Sequence, residues 1–162
     1  MPYYAQENQY TCGLACARMV IKHLTGIGYT EKNILQNING FENGVGISLS
    51  NLVEYINSKV DTHKYKKFHG ITKDKLMVNI TFGIRLAKAA SICGVQGDRK
   101  YGYAYDTKNH YIVVSAIAED QSAVTVMDPW AGYVHEPQRG IFDLTDDQLM
   151  HGYLSTLVGM AY

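Results

Sequence analysis

Near the start of the chain, the run Gln6 to Met19 (QENQYTCGLACARM) sets a cysteine, Cys12, at the boundary between a polar lead-in and an apolar stripe of helical period. Leu14, Ala15, Met19, Val20, Ile21 and Leu24 make the stripe, and Gly26 and Gly28 follow it as stop signals. The pattern predicts a mostly buried helix of about three to four turns. It starts at Cys12, with Thr11 as its N-cap. A thiol at a helix start is placed to ionise: the unpaired N-terminal amides and the helix dipole both favour negative charge there, and the thiolate is the nucleophilic form. Gly13 has no side chain, so a carbonyl group can approach the sulfur closely.

The length of 162 residues suits one domain, 1–162, with a real core. Lysine plus arginine and aspartate plus glutamate both number 15, so the net charge is zero and no nucleic-acid footprint is expected. Lys64, Lys66 and Lys67 form only a short basic cluster, read as a solvated strand edge. The cysteines number 3, and an odd count is not a disulfide framework. Cys12 and Cys16 are one helical turn apart and poorly oriented to bond each other, and no His/Cys spacing suits zinc. Cys16 and Cys93 are read as small core residues. No stretch approaches a membrane span, and no signal peptide precedes the helix. The chain is thus expected to be either cytosolic or a mature or excised piece of a longer precursor. Its oligomeric state is left open.

After the first helix, short helices are expected over Glu31–Ile38, Leu49–Asn57 (capped by Ser48 or Ser50) and Thr72–Phe82. Thr62–His69 reads as an edge strand, Ile84–Cys93 as a strand, and Gly94–Asn109 as a long loop of the kind that is often functional. In that loop Tyr101, Tyr103 and Tyr105 alternate, either bordering a cleft or packing. His110–Ala118 and Ser122–Asp128 are the clearest strands, joined by a turn at Glu119–Gln121. A strand at Tyr133–His135, a helix at Asp146–His151 capped by Thr145, and a returning strand at Tyr153–Val158 complete the order. Helices first and strands later predict an α+β fold with helices packed on an antiparallel sheet.

The hairpin folds back so that His110, first on one strand, lies near Asp128, last on the next. His110 shares a face with Ile112 and Val114; Asp128 shares one with Val124 and Val126. A carboxylate there can accept the imidazole N–H and fix its tautomer, or the two can be a plain satisfied pair at a strand end. A thiol nucleophile needs a base, the base needs an orienting group, and a tetrahedral intermediate needs N–H donors. Cys12, His110, Asp128 and Gln6 together supply these parts. His23 sits at a helix end that favours its charge, while His63, His69, His135 and His151 lie in polar contexts with no paired carboxylate in view. Trp130 either shields the His–Asp bond from water or fills the core edge.

Gln6-x5-Cys12-Gly13-x-Ala15, Asn109-His110-Tyr111-Ile112-Val113-Val114 and Val126-Met127-Asp128-Pro129-Trp130-x-Gly132, in that order, resemble the C39-like peptidases. These are papain-like cysteine peptidases that include the bacterial double-glycine leader peptidases. The resemblance covers most of the chain. It implies a papain-like fold with the thiol on an N-terminal helix and the His–Asp pair on a sheet. By motif position Cys12 would be the nucleophile, His110 the base, Asp128 its orienting partner and Gln6 an oxyanion-hole donor. It implies hydrolysis of a peptide or protein substrate with no metal or organic cofactor. The same triad also serves deamidases, transamidases and binding domains that have lost turnover. Leader peptidases of this type are often joined to transporter membrane segments, absent here, and the Gly94–Asn109 loop matches no family motif. Double-glycine specificity is therefore not carried over.

Overall fold

The computed structural model describes residues 1–154 and 159–162. The first helix, α1 (Cys12–Thr25), buries Leu14, Met19, Val20 and Ile21 completely and ends at Gly26 in the left-handed region, φ 73°. Burying each such side chain contributes about 1.5–3 kcal/mol. Thr11 occupies the N-cap position, but its side chain caps nothing in the helix. Its hydroxyl turns back, accepting the Asn8 N–H at 3.1 Å and lying 3.2 Å from the Asn8 carbonyl. A lost cap costs about 1 kcal/mol, which the buried stripe outweighs several times over. The helix therefore stands firmly while its first amides receive no side-chain cap.

Helix α2 (Glu31–Leu35) begins with a Thr30–Asn33 capping box, and α3 (Leu49–Lys59) is capped by Ser48. The strands are β1 (Lys67–Phe68), β2 (Ser91–Val95), β3 (His110–Ile117), β4 (Ala123–Met127), β5 (Ile141–Thr145) and β6 (Met160–Ala161). They form one six-stranded sheet in the order β1-β6-β2-β3-β4-β5, antiparallel throughout. Ile92, Tyr111, Val113 and Met127 pack one face against α1–α3. Ile112, Val114, Val126 and Leu144 pack the other with α4 (Lys73–Thr81) and α6 (Asp146–Gly152). The fold is α+β, with helices on both faces of the sheet.

Three segments differ from the sequence reading. Over Ile84–Cys93, Phe82–Leu86 instead prolongs α4 as a π turn, Lys88 breaks the run at φ 54°, and the strand begins only at Ser91. β2 is buried at every position between two helical layers, so it shows no alternation to read. At Tyr133–His135 the expected strand is absent. Asp128 accepts the Trp130 N–H at 2.9 Å and starts a one-turn helix, α5 (Trp130–Tyr133). The further strand is β5, a half-exposed edge with weak patterning. Of the strand expected over Tyr153–Val158, Tyr153 makes an isolated bridge with Val95, and 155–158 lie outside the described residues.

The β3–β4 hairpin carries a register shift between Val114 and Ala116. Next to the turn Ile117 pairs with Val124; beyond the shift Val114 pairs with Val126. Without the extra residue, Ser115, the first register would set Asp128 opposite Val113, on the other face from His110. The bulge sets it opposite Ile112 instead, so His110 and Asp128 share a face and meet on the diagonal.

Gly13 has a packing role that its spacing did not suggest. A Cβ there would lie 2.6 Å from Ile47 Cγ2 and 3.4 Å from Tyr111 Cδ2. The missing side chain lets α1 approach the Ile47 loop and β3. Overpacking of this kind costs about 1–3 kcal/mol, against at most about 1 kcal/mol that alanine gains over glycine in a helix. Gly13→Ala is therefore expected to lower stability by up to about 2 kcal/mol, seen as a lower urea midpoint at unchanged slope. An unchanged midpoint would show that the Ile47 loop yields freely.

Candidate active site

His110 is the first residue of β3, entered through Asn109 at φ 48°. His110 and Asp128 are 3% and 1% exposed, and His110 Nε2 lies 2.6 Å from Asp128 Oδ1. The same carboxylate oxygen takes the Trp130 N–H. The Asp128 backbone is tied on both sides: its N–H donates to the Gly140 carbonyl at 2.7 Å, and its carbonyl accepts the Tyr3 hydroxyl at 2.9 Å. With Nε2 engaged, Nδ1 is the ring nitrogen left for Cys12, whose side chain is close enough to the imidazole to favour its charged form. The ring is thus used in the opposite sense to the serine-protease triad, where the carboxylate takes Nδ1–H. Burial opposes a charge on His110, but the Asp128 charge, its hydrogen bond and the Cys12 side chain outweigh it. Together they push the imidazole pKa up to about 10.

Cys12 is partly exposed and opens on a cavity of about 810 Å³, a size usual for ligand sites. It is lined by Tyr10, Gly44 and Val45, by His110 and Trp130, and by the Gln96–Asp98 and Asp106–Asn109 segments. Those two segments are held as one wall: Gly97 N–H donates to Thr107 Oγ1 at 3.1 Å, and Thr107 N–H donates to the Gly97 carbonyl at 3.2 Å. The tyrosines of this loop pack instead of bordering the cleft. Tyr103 and Tyr105 are buried, with hydroxyls bonded to the Leu149 and Glu136 carbonyls. Trp130 meets His110 edge-on with ring centroids 6.0 Å apart.

Gln6 is 2% exposed and does not line the cavity. Its backbone N–H is held by the Pro129 carbonyl at 2.9 Å, and its Nε2 donates to the Asn8 carbonyl at 2.6 Å. One amide proton remains after that bond. Its Oε1 is buried with no hydrogen-bond partner among the described residues. The structure therefore brings Cys12, His110 and Asp128 together and sets Gln6 beside the Asp128 turn. Cys16 and Cys93 are fully buried, and burial pushes both thiols up, Cys93 to about 12. Among the described residues no group of three His, Cys, Asp or Glu could hold a metal, and no helix is long and apolar enough to cross a membrane. Sequence reasoning missed Glu31, a carboxylate 1% exposed that holds the lead-in to α1. In the sequence it stands only as the first residue of the helix expected over Glu31–Ile38.

A thiol carried on the start of a buried helix faces an imidazole–carboxylate pair carried on an antiparallel sheet, with a cleft between them. This is the arrangement of the papain-like fold. The chain belongs to the Peptidase_C39 like family, which matches residues 1–143. No curated protein matches it significantly.

The imidazole charge can be checked directly. The His110 ring should stay protonated through neutral pH and titrate near 10 by NMR. In Asp128→Asn burial is opposed only by the Cys12 side chain, so the ring should titrate well below its wild-type value. Because the folded value is raised, the stability His110 contributes is fully present below 6.5 and is lost as pH climbs toward 10. A wild-type ring titrating near 6.5 would contradict the assigned pair.

Proposed function

We propose that this protein is a cysteine peptidase that cleaves peptide bonds by acyl transfer. The observation that carries the reading is that a buried imidazole bonded to Asp128 has Cys12 close by, while Cys12 opens on the cavity. His110 takes the Cys12 proton, or the two rest as an ion pair, and Asp128 holds the charged ring in one orientation. The thiolate attacks the carbonyl carbon of a peptide lying in the cleft. The oxyanion that forms is stabilised by the uncapped amide of Cys12 at the head of α1 and by the remaining Gln6 amide proton. The imidazolium gives its proton to the leaving amine, and the amine departs with the C-terminal product. Water, deprotonated by His110, then attacks the thioester. The acid product leaves and the Cys12–His110 pair is restored. Every group this cycle needs is a side chain or amide of the chain itself.

Membership of a peptidase-like family supports the reading without fixing the bond cleaved. Deamidases and transamidases run the same thioester step, and product masses with and without an added amine separate the three. Hydrolysis of a peptide library should be lost by at least about 10³-fold in Cys12→Ala with the far-UV CD spectrum unchanged. The kcat/KM of the wild type should fall on its alkaline side with an apparent pKa near 10, as the imidazolium loses its proton. Turnover by Cys12→Ala at the wild-type rate would reject the nucleophile.

A further inference from the structure

The basic cluster Lys64, Lys66 and Lys67 stands at one edge of the sheet and takes no part in the cycle above. Lys64 is spent locally: its ammonium donates to the Asn57 and Val60 carbonyls at 2.7 and 2.6 Å, at the C-terminal end of α3. Lys66 and Lys67 are exposed, and neither belongs to an ion pair among the described residues. Among those residues the Lys67 ammonium bonds only the Ser50 hydroxyl. Both lysines border a groove of about 620 Å³ between α3 and β1, where Ser50, Val53, Glu54 and Tyr65 also line it.

The backbone beside this groove is an open sheet edge. β1 is the outermost strand, with β6 on one side and no strand on the other. Lys66 and Tyr162 exchange both main-chain bonds, N–H to carbonyl, at 2.9 and 3.3 Å. In an antiparallel ladder the next residue turns its N–H and C=O the other way. Lys67, opposite Ala161, therefore presents both to the free side. Tyr65 faces that side two residues earlier, and there the edge is closed. Asn57 Oδ1 accepts the Tyr65 N–H at 2.7 Å, and Asn57 Nδ2 donates to the Tyr65 carbonyl at 2.9 Å. The Asn57 amide stands where a neighbouring strand's peptide would. Lys67 has no such partner among the described residues.

We propose that this edge binds an extended peptide segment carrying Asp or Glu, which adds to the sheet as a strand beside Lys67. The main-chain groups of Lys67 supply the pairing, and the groove receives alternate side chains. The residue set opposite Lys67 projects on the same face as the Lys67 side chain, so a carboxylate there meets the ammonium. A second copy of this chain is a poor occupant, because pairing edge to edge would bring lysines face to face. Glu54, on the helix wall, pairs with neither lysine and repels the incoming carboxylate, so the attraction belongs to Lys67. Strands β6 and β2 separate this edge from His110 on β3, about 14 Å at the usual spacing, so binding here leaves the cleft at Cys12 free. It does not depend on the chemistry of Cys12.

The probe is the peptide acetyl-Thr-Val-Glu-Val-Thr-amide, compared with its counterpart carrying Gln in place of Glu. Each is titrated to about 5 mM against isotope-labelled protein and followed by NMR. The Glu peptide should shift the Lys67 amide resonance and slow its exchange with solvent, while the resonances of Cys12, His110 and Trp130 stay where they are. It should bind about three- to ten-fold more tightly than the Gln peptide at low salt. That preference should vanish in about 0.5 M sodium chloride and in Lys67→Met, which keeps the length of the side chain without its charge. Glu54→Gln should widen it. A Glu peptide methylated at every backbone nitrogen cannot donate to the Lys67 carbonyl and should not bind. Shifts confined to the cleft, no shift at Lys67, equal affinity for the Glu and Gln peptides, or a preference that survives Lys67→Met would overturn the proposal.

Discussion

The bond between His110 and Asp128, closed away from water, is the interaction around which the chain is arranged. Taking two charges out of water is expensive, and apolar side chains of the same volume often serve stability as well or better. This pair is nonetheless surrounded by dedicated support. Trp130 gives its amide to the carboxylate, Gly140 accepts the Asp128 amide, and Tyr3 reaches across from the other end of the chain to its carbonyl. Gly140 has no side chain because the Tyr3 ring fills that place; a Cβ would sit 2.1 Å from the Tyr3 hydroxyl. Residues separated by more than a hundred positions are thus spent on holding one carboxylate still. A carboxylate so fixed keeps the imidazole charged and aimed at Cys12.

The pair was legible in the sequence because each strand announces its own face. His110, Ile112 and Val114 alternate cleanly, as do Val124, Val126 and Asp128. What was not legible is why the two faces coincide. Counting residues back from the turn at the Ile117–Val124 pairing puts Asp128 opposite Val113 and breaks the site. Ser115 adds the residue that restores it, its hydroxyl bonded to the Thr125 carbonyl at 3.2 Å. A bulge leaves the alternation on either side intact, so no periodic signal betrays it. The segments misread have the same kind of cause. The π turn at Phe82–Leu86 and the strand β2 are both apolar runs without a telling period, and β5 is an edge strand with three of its five residues exposed.

The lead-in to α1 shows the same limit more sharply. Thr11 stands where a cap belongs and has the right hydroxyl, yet the cap bond is not made. The hydroxyl is claimed instead by the Asn8 backbone, three positions back. Buried polar networks are assembled by tertiary approach and have no period to read. Gln6 could be picked out by motif position, but its bond to the Asn8 carbonyl and its tie to Pro129 could not. Leaving the helix uncapped sacrifices local stability and keeps the first amides available to an anion, which is the use that P-loop and similar helix starts make of the same groups.

The two cysteines of α1 show how little distance separates a thiol open to a cavity from an enclosed one. Cys12 and Cys16 are one turn apart on the same helix, so their side chains lie along one stripe. Cys16 is wholly enclosed among Leu14, Met19 and their neighbours, where burial raises its thiol and no imidazole is at hand. Cys12 lies at the first residue of the helix, against His110 and open to the cavity. A turn of helix is about 5.4 Å, and over that length the field of the uncapped amides fades while hydrocarbon closes in. Exposure is therefore set by position along the helix, and position is fixed by the packing of the stripe behind it. The apolar residues that gave the sequence its clearest helical period are the ones that decide which sulfur reaches the cleft.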